Sequence, residues 1–317
     1  MASEPSAQFT PNSWHSHLLT FERMAHEHMR KMTALALVAL TALISLLAAC
    51  GSSSATTTAG ACTTDPSTLK LVQAGKLTIA TDASYPPQEY KDASGNLIGM
   101  EIDLAKEFAK RLCVTADIKD TTFADIIGAI TAGTPGNQRF DMSISAFTIN
   151  PDRQKVVDMI PYFTAGQSLL VAPGNPKNIK QLSDICGLNV SVEKGTAEES
   201  DVMTSLNVAG GTCASKNIKL LSYDTETQAI NDVISGRADA AYQDSPVTDY
   251  YLGLNTGKVA KGPSLVDPAP EGLVVRKDNN AFESTIIKAL SDMRNDGTFK
   301  TILTKWNLQS GAYPALP

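Results

Sequence analysis

From Leu77 onward the chain alternates short apolar runs with longer stretches whose apolar positions recur every three or four residues. LTIA (77–80) is of the first kind. IDLAKEFAKRL (102–112) is of the second, with Leu104, Ala105, Phe108 and Leu112 on one helical face. FADIIGAI (123–130) repeats that spacing with Phe123, Ile126, Ile127 and Ile130. Further strand-like runs are DMSIS (141–145), SLLVA (168–172), LNVSV (188–192), IKLLS (218–222), ADAAY (238–242) and the GLVVR that follows Glu271. The pattern predicts helices near 197–206, 225–235, 246–253, 280–296 and 298–305. Strands alternating with helices predict an α/β fold with mostly parallel sheets. Neither GxGxxG nor GxxxxGK[ST] occurs, so a nucleotide-phosphate fingerprint is absent.

Upstream, MRKMTALALVALTALISLLAAC (29–50) joins two basic residues to a short apolar run ending in Leu47-Ala48-Ala49-Cys50. The run is too short for a bilayer span and has the build of a secretory leader. LAAC resembles the bacterial lipobox, which implies cleavage before Cys50 and acylation of that cysteine. Residues 1–49 are thus expected to be leader, with Met29 or Met32 as alternative starts. GSSSATTTAGA after Cys50 has no apolar periodicity, and residues 50–68 are expected to form a lipidated, flexible tether.

Composition narrows the chemistry. All four histidines (His15, His17, His26, His28) precede residue 50, so the expected mature chain of 317 − 49 = 268 residues contains none. That argues against histidine triads, histidine–cysteine nucleophiles and histidine-ligated metals; no metal site and no cofactor are expected. Three acidic and three basic residues lie in the leader, so the mature net charge stays near the full chain's −6. A mildly acidic chain without basic runs argues against a nucleic-acid partner. Beyond Cys50 there are four cysteines, an even number that suggests two disulfides in an exported protein. Cys62–Cys113 and Cys186–Cys213 are favoured because each pair lies within one half of the chain. Loop entropy gives the second roughly 3 kcal/mol of stabilisation.

Ligands of open α/β sheets bind beyond the carboxyl ends of the strands, and polar residues collect there. Asp82 and Tyr85 follow LTIAT; Ser145, Thr148 and Arg153 follow DMSI; Glu193 and Gly195-Thr196 follow LNVSV; Asp244 follows ADAAYQ. An arginine can hold a carboxylate bidentately and an aspartate can accept hydrogen bonds from an ammonium group. Arg153 with Asp244 therefore describes a site for the zwitterion of an α-amino acid. Asn150 as N-cap and Pro151 at the first helical position would start a helix whose N–H groups and dipole attract an anion weakly. Each residue also has a plainer role open to it. Arg153 would be a solvated helix residue, Asp244 the N-cap of a helix at Ser245-Pro246, Phe123 core, Tyr85 turn packing, and Asp82 a local cap.

The segments TDASYPPQEY, LIGMEIDLAKEFAKRL, FADIIGAI, FDMSISAFTINPDR, VVDMIPYF, VSVEKGTAEE, GRADAAYQDS and MRNDGTFKTILTKW, in that order, resemble the bacterial extracellular solute-binding proteins of family 3. These are polar amino-acid receptors of ABC importers. The similarity spans about Leu69 to Gly311. It implies a two-lobed periplasmic-binding-protein-like fold with two hinge strands, lobe one being 69–167 with 271–310, lobe two 168–270, and 311–317 a tail. It also implies a receptor rather than an enzyme, monomeric, held outside the cytoplasm by a lipid on Cys50 and serving a membrane permease. By position, Arg153 matches the carboxylate-binding arginine, Thr148 its hydroxyl helper, and Asp244 the ammonium-binding aspartate. Ser145 and Ala146 match hydrogen-bonding positions, and Thr196 the helix-start threonine of the second lobe. Tyr85 and Phe123 match the residues flanking the ligand side chain, and Asp82 the acid beside it. Three departures stand out: Gln88 replaces a common aromatic, Ala146 a frequent serine, and Glu193 an uncharged pocket residue. Glu193 with Asp82 would favour a polar or basic side chain. The alternative is a cyclohexadienyl or arogenate dehydratase on the same fold, for which Glu193 is the candidate general acid.

Overall fold

A computed structural model of the chain describes residues 65–264 and 268–314. The leader, Cys50 and Cys62 lie outside the described residues. Among the described residues no helix is long and apolar enough to cross a membrane. The carboxylate of Asp65 accepts the N–H of Ser67 and caps a 3-10 turn, Pro66–Thr68, so the end of the expected tether is structured.

The first sheet is built from β1 (Lys76–Thr81), whose Leu77, Ile79 and Ala80 are fully buried. A hairpin-like sheet follows it, β2 (Ser84–Tyr85), β3 (Glu89–Lys91) and β4 (Leu97–Ile98). Gly99 then turns the chain into α1 (Met100–Arg111). Its φ is 133°, and a Cβ there would lie 2.1 Å from the Gln88 carbonyl oxygen, so only glycine fits. Next come β5 (Thr115–Asp120), α2 (Phe123–Thr131), β6 (Met142–Ser143), α3 (Pro151–Val156) and β7 (Val157–Ala165). After Gly166 the chain enters the second sheet with β8 (Gln167–Val171) and β9 (Asn189–Glu193). α4 (Ala197–Asp201) continues as a π-helical turn, Val202–Leu206, filling the span expected to be one helix. β10 (Lys219–Tyr223), α5 (Glu226–Ile234), β11 (Ala240–Asp244), α6 (Ser245–Leu254) and β12 (Ala260–Ser264) complete the second lobe. β13 (Ala269–Arg276) returns to the first sheet, and α7 (Asn280–Asn295) and α8 (Thr298–Lys305) close the fold.

The sheet orders are β5-β1-β6-β13-β7 and β10-β9-β11-β8-β12. In each, four of the five strands run the same way and one is reversed, as expected for mostly parallel sheets. The reversed strands are β13 and β8, the two that carry the chain from one lobe into the other. Leu104, Phe108 and Leu112 pack with Leu77, Ile79, Leu290 and Phe299 in the first core, while Leu169, Val190, Val192 and Tyr242 pack in the second. Tyr85 and Ala146 of the first lobe join Leu170, Ile230 and Val247 of the second in a cluster across the cleft.

β5 and β12 have no apolar run to mark them, and the run in β7 is broken by a proline. β5 is a polar edge strand, and Pro161 interrupts β7 at the point where its register to β13 shifts between Glu271 and Gly272. β12 carries Gly262 and Pro263 on a sheet edge, where a missing N–H is tolerated. The loop Gly133–Phe140 buries Gln138 and Phe140. The segment from 311 is likewise tied down, Tyr313 donating its N–H to the Tyr162 carbonyl at 3.1 Å.

Cys186 and Cys213 form the expected disulfide across a separation of 27 residues; the other expected pair includes Cys62, outside the described residues. Loop entropy for the Cys186–Cys213 closure amounts to about 3.5 kcal/mol. The Cys186→Ser, Cys213→Ser variant is therefore expected to melt lower by on the order of 10 °C, measured by calorimetry without reductant.

Candidate functional site

The carboxyl ends of β1, β6, β9 and β11 deliver Asp82, Ser145, Glu193 and Asp244 to one cleft between the lobes. A cavity there is lined by all ten residues singled out in the sequence: Asp82, Tyr85, Phe123, Ser145, Ala146, Thr148, Arg153, Glu193, Thr196 and Asp244. Glu89, Ala197 and Glu198 line it too.

Arg153 is buried, and its position is set by α3. Asn150 caps that helix by accepting the Arg153 N–H at 2.9 Å, and Pro151 opens it. The helix has only six residues, so the expected dipole attraction is small. The guanidinium donates through Nη1 to the Thr148 carbonyl at 2.7 Å and through Nη2 to the Gly195 carbonyl of the other lobe at 3.0 Å. Its carbon lies 5.4 Å from the Phe123 ring centre and 5.0 Å from that of Phe147. Those rings stack at 4.2 Å. Two carbonyls and two ring faces fix the plane of the group and leave further N–H donors for an anion. The plainer role as a solvated helix residue does not hold.

Asp244 occupies the N-cap position of α6 but makes no side-chain capping bond. Its Oδ2 instead accepts the Tyr85 hydroxyl at 2.9 Å, and its own N–H donates to that hydroxyl at 3.1 Å. Tyr85 thus joins the lobes instead of merely packing in a turn. Asp82 does cap locally, its Oδ2 accepting the Phe123 N–H at 2.8 Å, yet it also faces the cavity. Thr196 caps α4 by accepting the Glu199 N–H and donates to the Glu193 carbonyl at 2.7 Å.

Two expected contacts are already engaged within the protein. The Ser145 hydroxyl donates to Glu89 at 2.9 Å and accepts the Asp82 N–H, and the Ala146 N–H donates to Glu101 at 3.1 Å. Both groups hold the cleft floor in shape: the Glu101 carboxylate also receives the Tyr162 hydroxyl, and Ala146 sits at φ 44°. Gln88 forms no wall, being fully buried behind the cavity and donating to Glu271 at 2.6 Å. Glu89 and Glu198 were not singled out. Glu199 accepts the Gly195 N–H, one residue before the N-cap Thr196, which leaves the neighbouring Glu198 free to turn inward.

The electrostatics are lopsided. Five carboxyl groups line the cavity against one guanidinium. Burial pushes Asp244 up to about 6, against the opposing Tyr85 hydrogen bond and the Arg153 charge. Burial, then the Asp244 charge, pushes Glu198 up to about 8. Burial likewise raises Glu89 and Glu193 well above the carboxylate range, helped by Glu101 and Asp82 respectively. Burial lowers Arg153 to about 10, with Glu198 and Asp244 resisting, so it stays charged at neutral pH. One oxygen each of Glu89 and Glu198 is buried without a hydrogen-bond partner in the protein. Such a wall calls for donors and positive charge.

A family profile described as bacterial extracellular solute-binding proteins, family 3, matches residues 77–309. The histidine-binding periplasmic protein of Salmonella typhimurium is 29% identical over 238 residues, covering 73% of this chain and 87% of its own. An ancestral arginine-binding protein bound to arginine superposes with a TM-score of 0.67 at 35% identity, over 73% of this chain and 98% of its own. An ancestral amino-acid-binding protein described as a precursor of cyclohexadienyl dehydratase superposes with a TM-score of 0.64 at 34% identity, over 73% and 95%.

Proposed function

Because the chain belongs to the bacterial extracellular solute-binding proteins of family 3, we propose that it is the amino-acid receptor of an ABC importer, taking a basic amino acid between its lobes and presenting it to a membrane permease. The observation that carries this is the cavity itself, where one fixed guanidinium faces Asp244 and four further carboxyl groups. An α-carboxylate pairs with Arg153 and Thr148, an α-ammonium with Asp244, and a cationic side chain lies between the rings of Tyr85 and Phe123 toward Asp82 and Glu193. The names of the histidine- and arginine-binding relatives agree with such a ligand. The lobes, 69–167 with 271–310 and 168–270, part to release it. Lipid on Cys50 would hold the receptor at the outer face of the membrane, and acylated Cys50 is what mass spectrometry of the membrane fraction should find.

A thermal-shift panel of the common amino acids with ornithine, citrulline and arogenate tests the proposal. Ligand at 100 times its dissociation constant stabilises by about 2.7 kcal/mol, and the largest shifts are expected from basic amino acids. No shift with any α-amino acid would remove the receptor. Turnover of arogenate would favour the dehydratase instead, with Glu193, whose buried carboxyl is held protonated well above its usual range, as the acid.

Closure has its own test. Gly195 adopts φ +83°, and a Cβ there would meet the Ala124 Cα of the opposite lobe at 3.0 Å. Gly195→Ala should leave the fold intact and weaken ligand binding by about tenfold, roughly 1.4 kcal/mol, measured by calorimetry.

A further inference from the structure

We propose that Asp82 and Glu193, brought together from opposite lobes, require one positive charge for the cleft to close, supplied by the ligand's cationic side chain or, without one, by a proton. The proposal rests on Arg153 and Asp244 holding the amino-acid head, and adds a rule for how charge on the side chain is selected.

Asp82 follows β1 in the first lobe and Glu193 ends β9 in the second, and both are buried. A single hydroxyl mediates between the lobes there. Ser84 donates to Glu193 Oε1 at 3.3 Å while accepting the Glu226 N–H at 3.0 Å. The same hydroxyl and the Ser84 N–H also lie in hydrogen-bonding position to Asp82, and the hydroxyl's one proton can serve only one of the two carboxyl groups. Asp82 in turn receives the Phe123 N–H. Two carboxyl groups thus face the cavity sharing the Ser84 hydroxyl, and every donor they receive from the protein is neutral.

The groups around the pair add no unpaired cation. Asp120, paired with Lys91, stands beside Asp82, and Glu226 and Tyr251 stand beside Glu193. Across the cavity are Glu89, Tyr85, Asp244 and Glu198, and Arg153 is engaged at the far end by Thr148 and Gly195. Among the described residues no lysine or arginine forms an ion pair with Asp82 or Glu193. Two like charges forced together in a buried site shed one of them as a bound proton.

The sign of the pH effect follows. Burial raises Asp82 to about 6 and Glu193 further. A raised carboxyl supports the closed cleft below its ordinary range, and that support is lost as pH rises through the raised value. A guanidinium or ammonium between the two carboxylates replaces the proton, so cationic ligands bind with proton release and gain on neutral ones as pH rises. A neutral amide leaves the proton in place.

The test is calorimetric titration with L-arginine and L-ornithine, against L-glutamine and L-citrulline, at about pH 5 and about pH 8. Two buffers of different ionisation enthalpy count the protons. The expected result is proton release on binding the cationic pair, and a cationic-to-neutral affinity ratio at least about tenfold higher at the upper pH, since each proton released allows up to tenfold per pH unit. Glu193→Gln should abolish the release and lower the cationic-to-neutral affinity ratio about tenfold or more. Binding without proton release and with an unchanged ratio, or a Glu193→Gln variant that loses both pairs equally, overturns the proposal and leaves the receptor standing. Failure of every α-amino acid to bind at either pH overturns both.

Discussion

Arg153→Ala is expected to weaken amino-acid binding by at least about a hundredfold, because truncating one side of a buried charge pair costs 2–5 kcal/mol. Two effects add. The ligand carboxylate loses a rigid bidentate donor, and Glu198 and Asp244 lose the cation that faces them in a site already short of positive charge. The variant also removes the Nη2 bond to the Gly195 carbonyl, one of the direct ties between the lobes. Arg153→Lys keeps the charge but not the fork, and an ammonium cannot reach both the Thr148 and Gly195 carbonyls while holding a carboxylate in plane. It should bind more weakly than the parent and more tightly than the alanine variant. Calorimetric dissociation constants for the three proteins check the order, and an alanine variant that binds as tightly as the parent would remove Arg153 from the site.

The second large effect is at Asp244. Asp244→Ala should cost about a hundredfold in affinity through loss of the ammonium partner, on the scale of a removed buried charge partner. It also strips the acceptor from the Tyr85 hydroxyl. Asp244→Asn separates the two contributions. The amide oxygen still accepts from Tyr85 and the lobes still meet, so any remaining loss reports the carboxylate charge. The asparagine variant is expected to fall between parent and alanine, and to discriminate less between an amino acid and its Nα-acetyl derivative. Equal affinities for all three proteins would return Asp244 to a role at the start of α6.

Much of this site was legible because the residues fall at strand ends, where backbone topology alone brings them together. Arg153 and Asp244 lie far apart in sequence, yet β6 and β11 end at the same cleft. What the pattern concealed is which way a polar group faces. Asp244 has the sequence context of a helix cap, and only the Tyr85 hydroxyl opposite shows its carboxylate turned elsewhere. Gln88 ends the turn that leads into β3 and Glu89 opens the strand, and their side chains face different ways. The glutamine goes behind the cavity to Glu271, the glutamate into it. Glu198 was hidden by Glu199, which stands at the capping-box position one residue on and accepts the Gly195 N–H. In the fold, the helices and the buried strands declared themselves by apolar spacing. β5, β7 and β12 are held by partners in the sheet and not by their own pattern, the proline of β7 being accommodated at its register shift.

The most direct measurement is a calorimetric comparison of the tightest-binding L-amino acid with two of its derivatives, one lacking the α-carboxylate and one lacking the α-amino group. A clamp made by Arg153 and Asp244 predicts that each derivative binds at least about a hundredfold more weakly, roughly 2.7 kcal/mol. It further predicts that the Arg153→Ala variant no longer distinguishes the parent ligand from its decarboxylated form. Retention of full affinity by either derivative would contradict a zwitterion site in this cleft.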